Sequence, residues 1–381
     1  MGKNGIIILQ ISFIILAIIG GWFGFSYISQ VSAQAGGGFL WILAVIFTTI
    51  VSLIAGVVLN VVLHECGHVI GGVFTGYRFV FYSALGLAII KEKGKLVVKK
   101  YLAPGSGGGC LLSPPDIKNG TYPHKLYISG GFLVNFLVSA ICFSLFYHLA
   151  ATAPFGARAF LVAGIAGAFL GLVNLIPHNI SAPSDGYILF NMGKEKNTAL
   201  RRGLWSCFRF QALIAEGKRP QDIPTELLDW VVIENIKDPF VFGTACNRYR
   251  YLLDRQELNE ARTLMQTLSN KLNDLPDVLK LSCHCELLFL ELIGECRQEE
   301  IDRLYTKELK GYIKAAHAEI EVRRLMYAYS RLVLKDAGKI KENLDLFHKA
   351  IAIPIQSGFA LGEQELITLI DTIADKNVAM C

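Results

Sequence analysis

The stretch LNVVLHECGHVI, residues 59–70, decides how this chain reads. It sets His64 and His68 four positions apart with Glu65 between them, and it continues an uncharged run from Phe39 to Leu63. At about 1.5 Å per residue, that run is long enough to cross roughly 30 Å of hydrocarbon. Ionisable side chains there cost on the order of 2.5–3.5 kcal/mol each, so three together need a compensating partner. A divalent metal meets that need. Residues i and i+4 share a helix face, which lets two imidazoles meet one ion about 2.0–2.1 Å from each nitrogen. Glu65 then lies beside a water on that ion. Zinc brings such a water's pKa towards about 7, and the carboxylate can take its proton during attack on a peptide carbonyl and pass it to the leaving amine. The structural alternative is a helix end whose His and Glu reach the headgroups.

Charge divides the chain. Residues 1–193 hold 10 Lys+Arg and 4 Asp+Glu, whereas residues 194–381 hold 27 and 28. The basic excess thus belongs to the apolar half and bears on membrane orientation, not on nucleic acid. Four apolar spans are expected: Gly5 to Tyr27, Phe39 to about Phe74, Leu126 to about Ala150, and Ala157 to about Pro177. The first exceeds a signal-peptide core of roughly 7–15 residues and reads as an uncleaved anchor. The segment Ile28–Gly38 has no Lys or Arg and Ala151–Arg158 has one, while Arg78–Lys125 has eight, which predicts that both termini and the motif face the cytoplasm. With no organellar presequence, a bacterial plasma membrane is the expected location. Nine cysteines on or near a reducing side do not predict a disulfide framework. Cys283-His284-Cys285 reads as buried helix packing, because no second pair matches it.

A catalytic zinc takes three protein ligands and keeps one position for water. Asp185 is the expected third ligand: it is the only acidic residue between Asp116 and Glu195 and follows the fourth span. His178 competes for the role, although its place is also that of an amphipathic side chain at the headgroups. Asn135, an amide in an apolar helix, needs hydrogen-bond partners, and an interhelical structural bond is its alternative use.

Taken together, the His64–His68 motif, Gly130-Gly131 through Asn135, and Asn174-Leu175-Ile176-Pro177 followed by Asp185-Gly186 resemble the site-2 protease family of intramembrane zinc metalloproteases. The resemblance covers about residues 39–190. It implies zinc on His64, His68 and Asp185, Glu65 as general base, and Asn135 hydrogen-bonding near the substrate or oxyanion. The chain departs from the family pattern in a longer Asn174–Asp185 interval and in Gly-Gly where Gly-Pro is expected.

Between the second and third spans, Val80–Ile90 and Lys95–Leu102 read as strands around Lys93-Gly94, followed by Gly105-Ser106-Gly107-Gly108-Gly109. An exposed strand edge beside the site would hold a peptide extended for hydrolysis. The glycine run lacks the Gly-Lys-Ser/Thr ending of a phosphate loop.

From about Lys194 the pattern is helical. Tyr251–Ala261, Glu291–Ile301 and Leu332–Leu344 each place a short polar turn between two helices, with ends spaced 40 and 43 residues apart. That spacing is loosely similar to tetratricopeptide-like arrays, which offer a concave face to a protein partner. A compact helical bundle is the alternative.

The expected fold is therefore an α-helical polytopic membrane protein, with about four transmembrane helices and a small β-hairpin insertion, joined to an all-α helical-repeat soluble domain. The boundaries are 1–193 and 194–381. The expected function is zinc-dependent cleavage of a membrane-spanning or membrane-inserted peptide near the cytoplasmic face, with the bilayer and a protein bound by the helical repeats as partners. The rivals are an inactive protease-like scaffold and a metal transporter or metal sensor. A transporter would carry ionisable groups deep in more than one span.

Overall fold

The computed structural model describes residues 38–92, 95–100, 108–178, 183–192, 198–231, 236, 238–271, 277–353 and 356–379. The expected span Gly5–Tyr27 lies outside them. The chain divides into two compact units, Met1–Ile89 with Val98–Asn197 and Ile90–Val97 with Thr198–Cys381.

In the first unit, the uncharged run and the metal motif form one unbroken helix, α1 (Phe39–Phe74). Nothing in those residues breaks it, since no proline interrupts the run. Two more long helices follow the sheet, α2 (Lys125–Leu149) and α3 (Pro154–Leu175), the latter opening on proline, whose missing N–H costs nothing at a first helical turn. Helices α1, α2 and the Gly156–Leu175 part of α3 are long and apolar enough to cross a membrane. Large apolar side chains such as Phe47, Ile54, Leu137 and Ile141 stand exposed on α1 and α2. A short helix, α4 (Asp185–Met192), completes the unit.

Glycines set how closely these helices approach. A Cβ on Gly67 of α1 would overlap the Gly130 carbonyl of α2, and one on Gly130 would overlap the Gly67 carbonyl in return. A Cβ on Gly56 would lie 2.8 Å from Ala163 Cα of α3. The motif glycine is thus part of a backbone-to-backbone crossing of the kind small residues permit between apolar helices.

Strands β1 (Arg78–Ala84), β2 (Leu87–Glu92), β3 (Lys95–Lys100) and β4 (Gly108–Ser113) form one sheet in the order β3-β2-β1-β4. The expected strand Val80–Ile90 is two strands. Leu85 and Gly86 both take positive φ, 54° and 79°, the arrangement of a primed two-residue hairpin turn. The apolar alternation runs through the turn unbroken, which hides it in the sequence. β1 pairs antiparallel with β4, from Arg78 opposite Ser113 to Ala84 opposite Gly108, with a bulge between Phe79 and Phe81. That pairing makes β4 an edge of the sheet. Lys93-Gly94 and Gly105–Gly107 lie outside the described residues.

The second unit is helical: α5 (Thr198–Ala215), α6 (Pro239–Asp254), α7 (Leu258–Lys271), α8 (Asp277–Leu292), α9 (Gln298–Leu304), α10 (Lys307–Ala315), α11 (Ile320–Tyr329), α12 (Ala337–Ile351) and α13 (Ala360–Ala379). One apolar core runs from α6 to α13. Asp238, Thr306 and Asp336 cap α6, α10 and α12 by accepting backbone N–H bonds. Inside the core, Arg324 is 1% exposed and donates to Glu286 at 2.6 Å and Glu363 at 2.5 Å, with its guanidinium over Phe289. Each of the three polar turns seen in the sequence joins two helices and carries one non-glycine residue in the left-handed region: Gln256 (φ 58°), Cys296 (φ 51°) and Lys335 (φ 52°). Among the described residues the cysteines are free.

Candidate metal centre

Helix α1 presents His64 and His68 on one face, towards α2, with ring centroids 4.8 Å apart. Each imidazole is tied down through Nδ1. The His64 nitrogen meets Asn135 Oδ1 of α2 at 2.7 Å, and that of His68 meets the Tyr127 carbonyl at 2.8 Å. A carbonyl oxygen can only accept, so both rings carry a proton on Nδ1 and turn Nε2 inward.

Asp185, the first residue of α4, closes the group. Its Oδ2 lies 3.3 Å from His64 Nε2 and 3.4 Å from His68 Nε2, and the two Nε2 atoms are 3.1 Å apart. Ser184 holds the carboxylate there: its hydroxyl accepts from the Tyr187 and His178 N–H groups and donates to the Ile176 carbonyl, pinning the end of α3 to the start of α4. Gly186 is needed because a Cβ there would collide with the Leu175 carbonyl.

Three donor atoms thus form a nearly equilateral triangle with edges of 3.1, 3.3 and 3.4 Å. A tetrahedral ion about 2.0–2.1 Å from each donor requires an edge of about 3.3 Å. Asp185 Oδ2 is buried and accepts no well-formed hydrogen bond, an expensive condition that a cation would relieve. Among the described residues, His64, His68 and Asp185 are the group of His, Cys and carboxylate donors able to hold a metal. The donor set of two imidazoles and one carboxylate suits zinc. His178 stands outside that group; its backbone, through Ser184, shapes the turn before Asp185.

A cavity of about 180 Å³ adjoins the group at His64 and is lined by that residue with Val61, Glu65, Gly108, Asn135, Leu170 and Asn174. Glu65 therefore shares this space with His64, and edge strand β4 borders it, where a Cβ on Gly108 would stand 3.3 Å from Glu65 Cγ. Cys110, also on β4, is near enough that burial and the Glu65 carboxylate push its thiol well above the usual range.

Sequence reasoning brought forward four of the residues that meet here, His64, Glu65, His68 and Asp185. For Asn135 it offered a place near the substrate or oxyanion or an interhelical bond; in the structure the amide bridges α2 to His64 and Asn60 of α1 and also lines the cavity. It did not single out Gly131, where a Cβ would fall 2.5 Å from His68 Nε2 and 2.6 Å from His64 Nε2. Nor did it single out Asn60, although the burial argument applied to Asn135 holds equally for that amide. The Tyr127 carbonyl had no signal, since a backbone acceptor leaves no trace in residue identity.

In comparisons with known proteins, no family model matches the chain, and no match was found among curated proteins or among solved structures.

Proposed function

We propose that this protein is an intramembrane zinc endopeptidase. The observation that carries the reading is the three-donor triangle of His64, His68 and Asp185, with the Glu65 carboxylate next to His64, in the C-terminal third of a helix apolar enough to span a bilayer. A zinc ion held there would supply a water acidic enough to attack an amide near neutral pH. Glu65 would accept the proton of that water and return it to the leaving amine. Asn135 and the Tyr127 carbonyl hold the two imidazoles in the tautomer that coordinates. The substrate has to be extended, because helical amides are shielded, and the edge of β4 beside Glu65 supports binding of an unwound peptide as an added strand.

The same reading makes the apolar unit a multi-pass domain with its centre near the cytoplasmic face, a placement that the loop charges support. In the helical unit, the three left-handed residues Gln256, Cys296 and Lys335 fall at matching places in three helix–turn–helix stretches. That recurrence supports a helical-repeat domain recruiting a protein partner.

The test is cleavage of a panel of single-span substrates by the purified protein in detergent or vesicles, with product masses locating the cut. Cuts inside the apolar segment near its cytoplasmic end, lost on Asp185→Ala, support the assignment. A zinc-loaded protein that cuts none of the panel and still captures a membrane client would make it a protease-like scaffold instead.

A further inference from the structure

We infer that Asn60 is a positioning residue for this centre: it orients the Asn135 amide so that the amide oxygen faces His64 and the His64 Nε2 lone pair is left for the ion. The inference rests on the metal-centre reading above and adds a residue to it.

An amide has two unlike ends, and either could face His64 Nδ1. If the Asn135 nitrogen did so, Nδ1 would have to accept, and the ring proton would move to Nε2, into the donor triangle. What meets the far end of the amide decides between the two. That end lies 2.9 Å from the Asn60 carbonyl and 3.3 Å from Asn60 Oδ1. Both are acceptors, so only the Asn135 nitrogen satisfies them.

Asn60 Oδ1 is available as an acceptor because the other end of its own amide is committed. Asn60 Nδ2 donates to the Gly56 carbonyl at 2.9 Å and to the Ala163 carbonyl of α3 at 3.2 Å. Space for this amide exists only because residue 167 of α3 is glycine: a Cβ there would collide with Asn60 Oδ1 and lie 2.6 Å from Ser139 Oγ. Asn60 and Asn135 are both 0% exposed, so neither can exchange these partners for water. The polarity of the chain therefore runs one way across three helices, from carbonyls of α1 and α3 through Asn60 and Asn135 to His64. An amide serving only to join helices would not need to end on the one ring nitrogen that sets a ligand's tautomer.

The experiment uses full-length protein in detergent, with ¹⁵N-labelled histidine and no metal, at a pH where the imidazoles are neutral, followed by zinc titration against a chelator. Wild type is expected to show His64 as a single tautomer protonated on Nδ1. Asn60→Ala keeps the main-chain carbonyl of residue 60 and removes the second acceptor together with the side chain packed against the Asn135 amide; the loosened amide should admit a second His64 tautomer and weaken zinc binding about tenfold, the lower end of what loss of an outer partner costs. Gly167→Ala, which displaces the same amide without changing residue 60, should act in the same direction and carries the test if Asn60→Ala does not fold. Asn60→Asp, whose buried carboxyl takes up a proton and keeps one donor and one acceptor, should bind zinc within about threefold of wild type. A pure Nδ1–H tautomer and an affinity within twofold of wild type in the folded Asn60→Ala or Gly167→Ala protein would overturn the inference. Failure of wild type to bind zinc would instead overturn the metal-centre reading, while the tautomer measurement would still judge Asn60.

Discussion

Gly131→Ala is the smallest change that should empty the centre while leaving the fold in place. The added Cβ would stand 2.5 Å from His64 Cε1 and His68 Nε2 and 2.6 Å from His64 Nε2. Ordinary non-bonded separations are about 3.5–4.0 Å, so both rings must move by about 1 Å or α1 and α2 must part. Coordination distances tolerate only about 0.2 Å, which puts two of three donors out of range together. A loss of at least about 100-fold in zinc affinity follows, or about 2.8 kcal/mol at about 1.4 kcal/mol per tenfold. Overpacking costs about 1–3 kcal/mol, and the better helix propensity of alanine returns up to about 1, so the metal-free protein should remain folded. The assay is competition with a chromogenic chelator on monodisperse protein, with Gly156→Ala as control, since nothing lies within 4 Å of a Cβ at that position. Zinc bound by Gly131→Ala as tightly as by wild type would refute the placement of the ion between the two Nε2 atoms.

Asp185→Ala should lower zinc content at a fixed zinc buffer by at least about 100-fold in affinity, because a site left with two imidazoles is no longer a three-ligand site; elemental analysis after dialysis reads this directly. Gln256→Gly and Lys335→Gly should each raise the unfolding free energy of the helical unit by about 0.5–1 kcal/mol, since both side chains are exposed and both backbones are left-handed; chemical denaturation checks it. Acid should weaken the same unit through Glu291, whose carboxyl is held down at about 2 chiefly by hydrogen bonds from Arg297, with Arg262 adding to them. With its folded pKa below the unfolded value of about 4.5, its stabilisation is complete above pH 4.5 and lost as pH falls towards 2. After solvent screening it is worth about 1–2 kcal/mol. Glu291→Gln should flatten that part of the pH profile of the denaturation midpoint.

The features legible in the sequence were those with a large energetic signature. An uncharged run of that length predicts a long helix, and α1 spans Phe39–Phe74 as read. Asp185 stood out because no other carboxylate was at hand, and its Oδ2 completes the triangle. What escaped depends on relations between elements. The Leu85-Gly86 turn is hidden by an apolar alternation that continues through it. Gly131 matters through the rings opposite it, and Asn60 through a glycine 107 positions away in α3. The His68 partner is a backbone carbonyl, which any residue at position 127 would supply. In the helical unit, the polar turns were visible as composition, while their shared left-handed residues were not, since Gln, Cys and Lys do not announce that conformation.

Cleavage of one membrane-inserted peptide by zinc-loaded wild type and by Glu65→Gln, at equal measured zinc in the same vesicles, tests the central claim most directly. A centre in which Glu65 moves the proton predicts about one zinc per chain in both proteins and a rate reduced by at least about 100-fold in the variant. Equal rates in the two proteins, or a wild type that takes up no zinc, would contradict it.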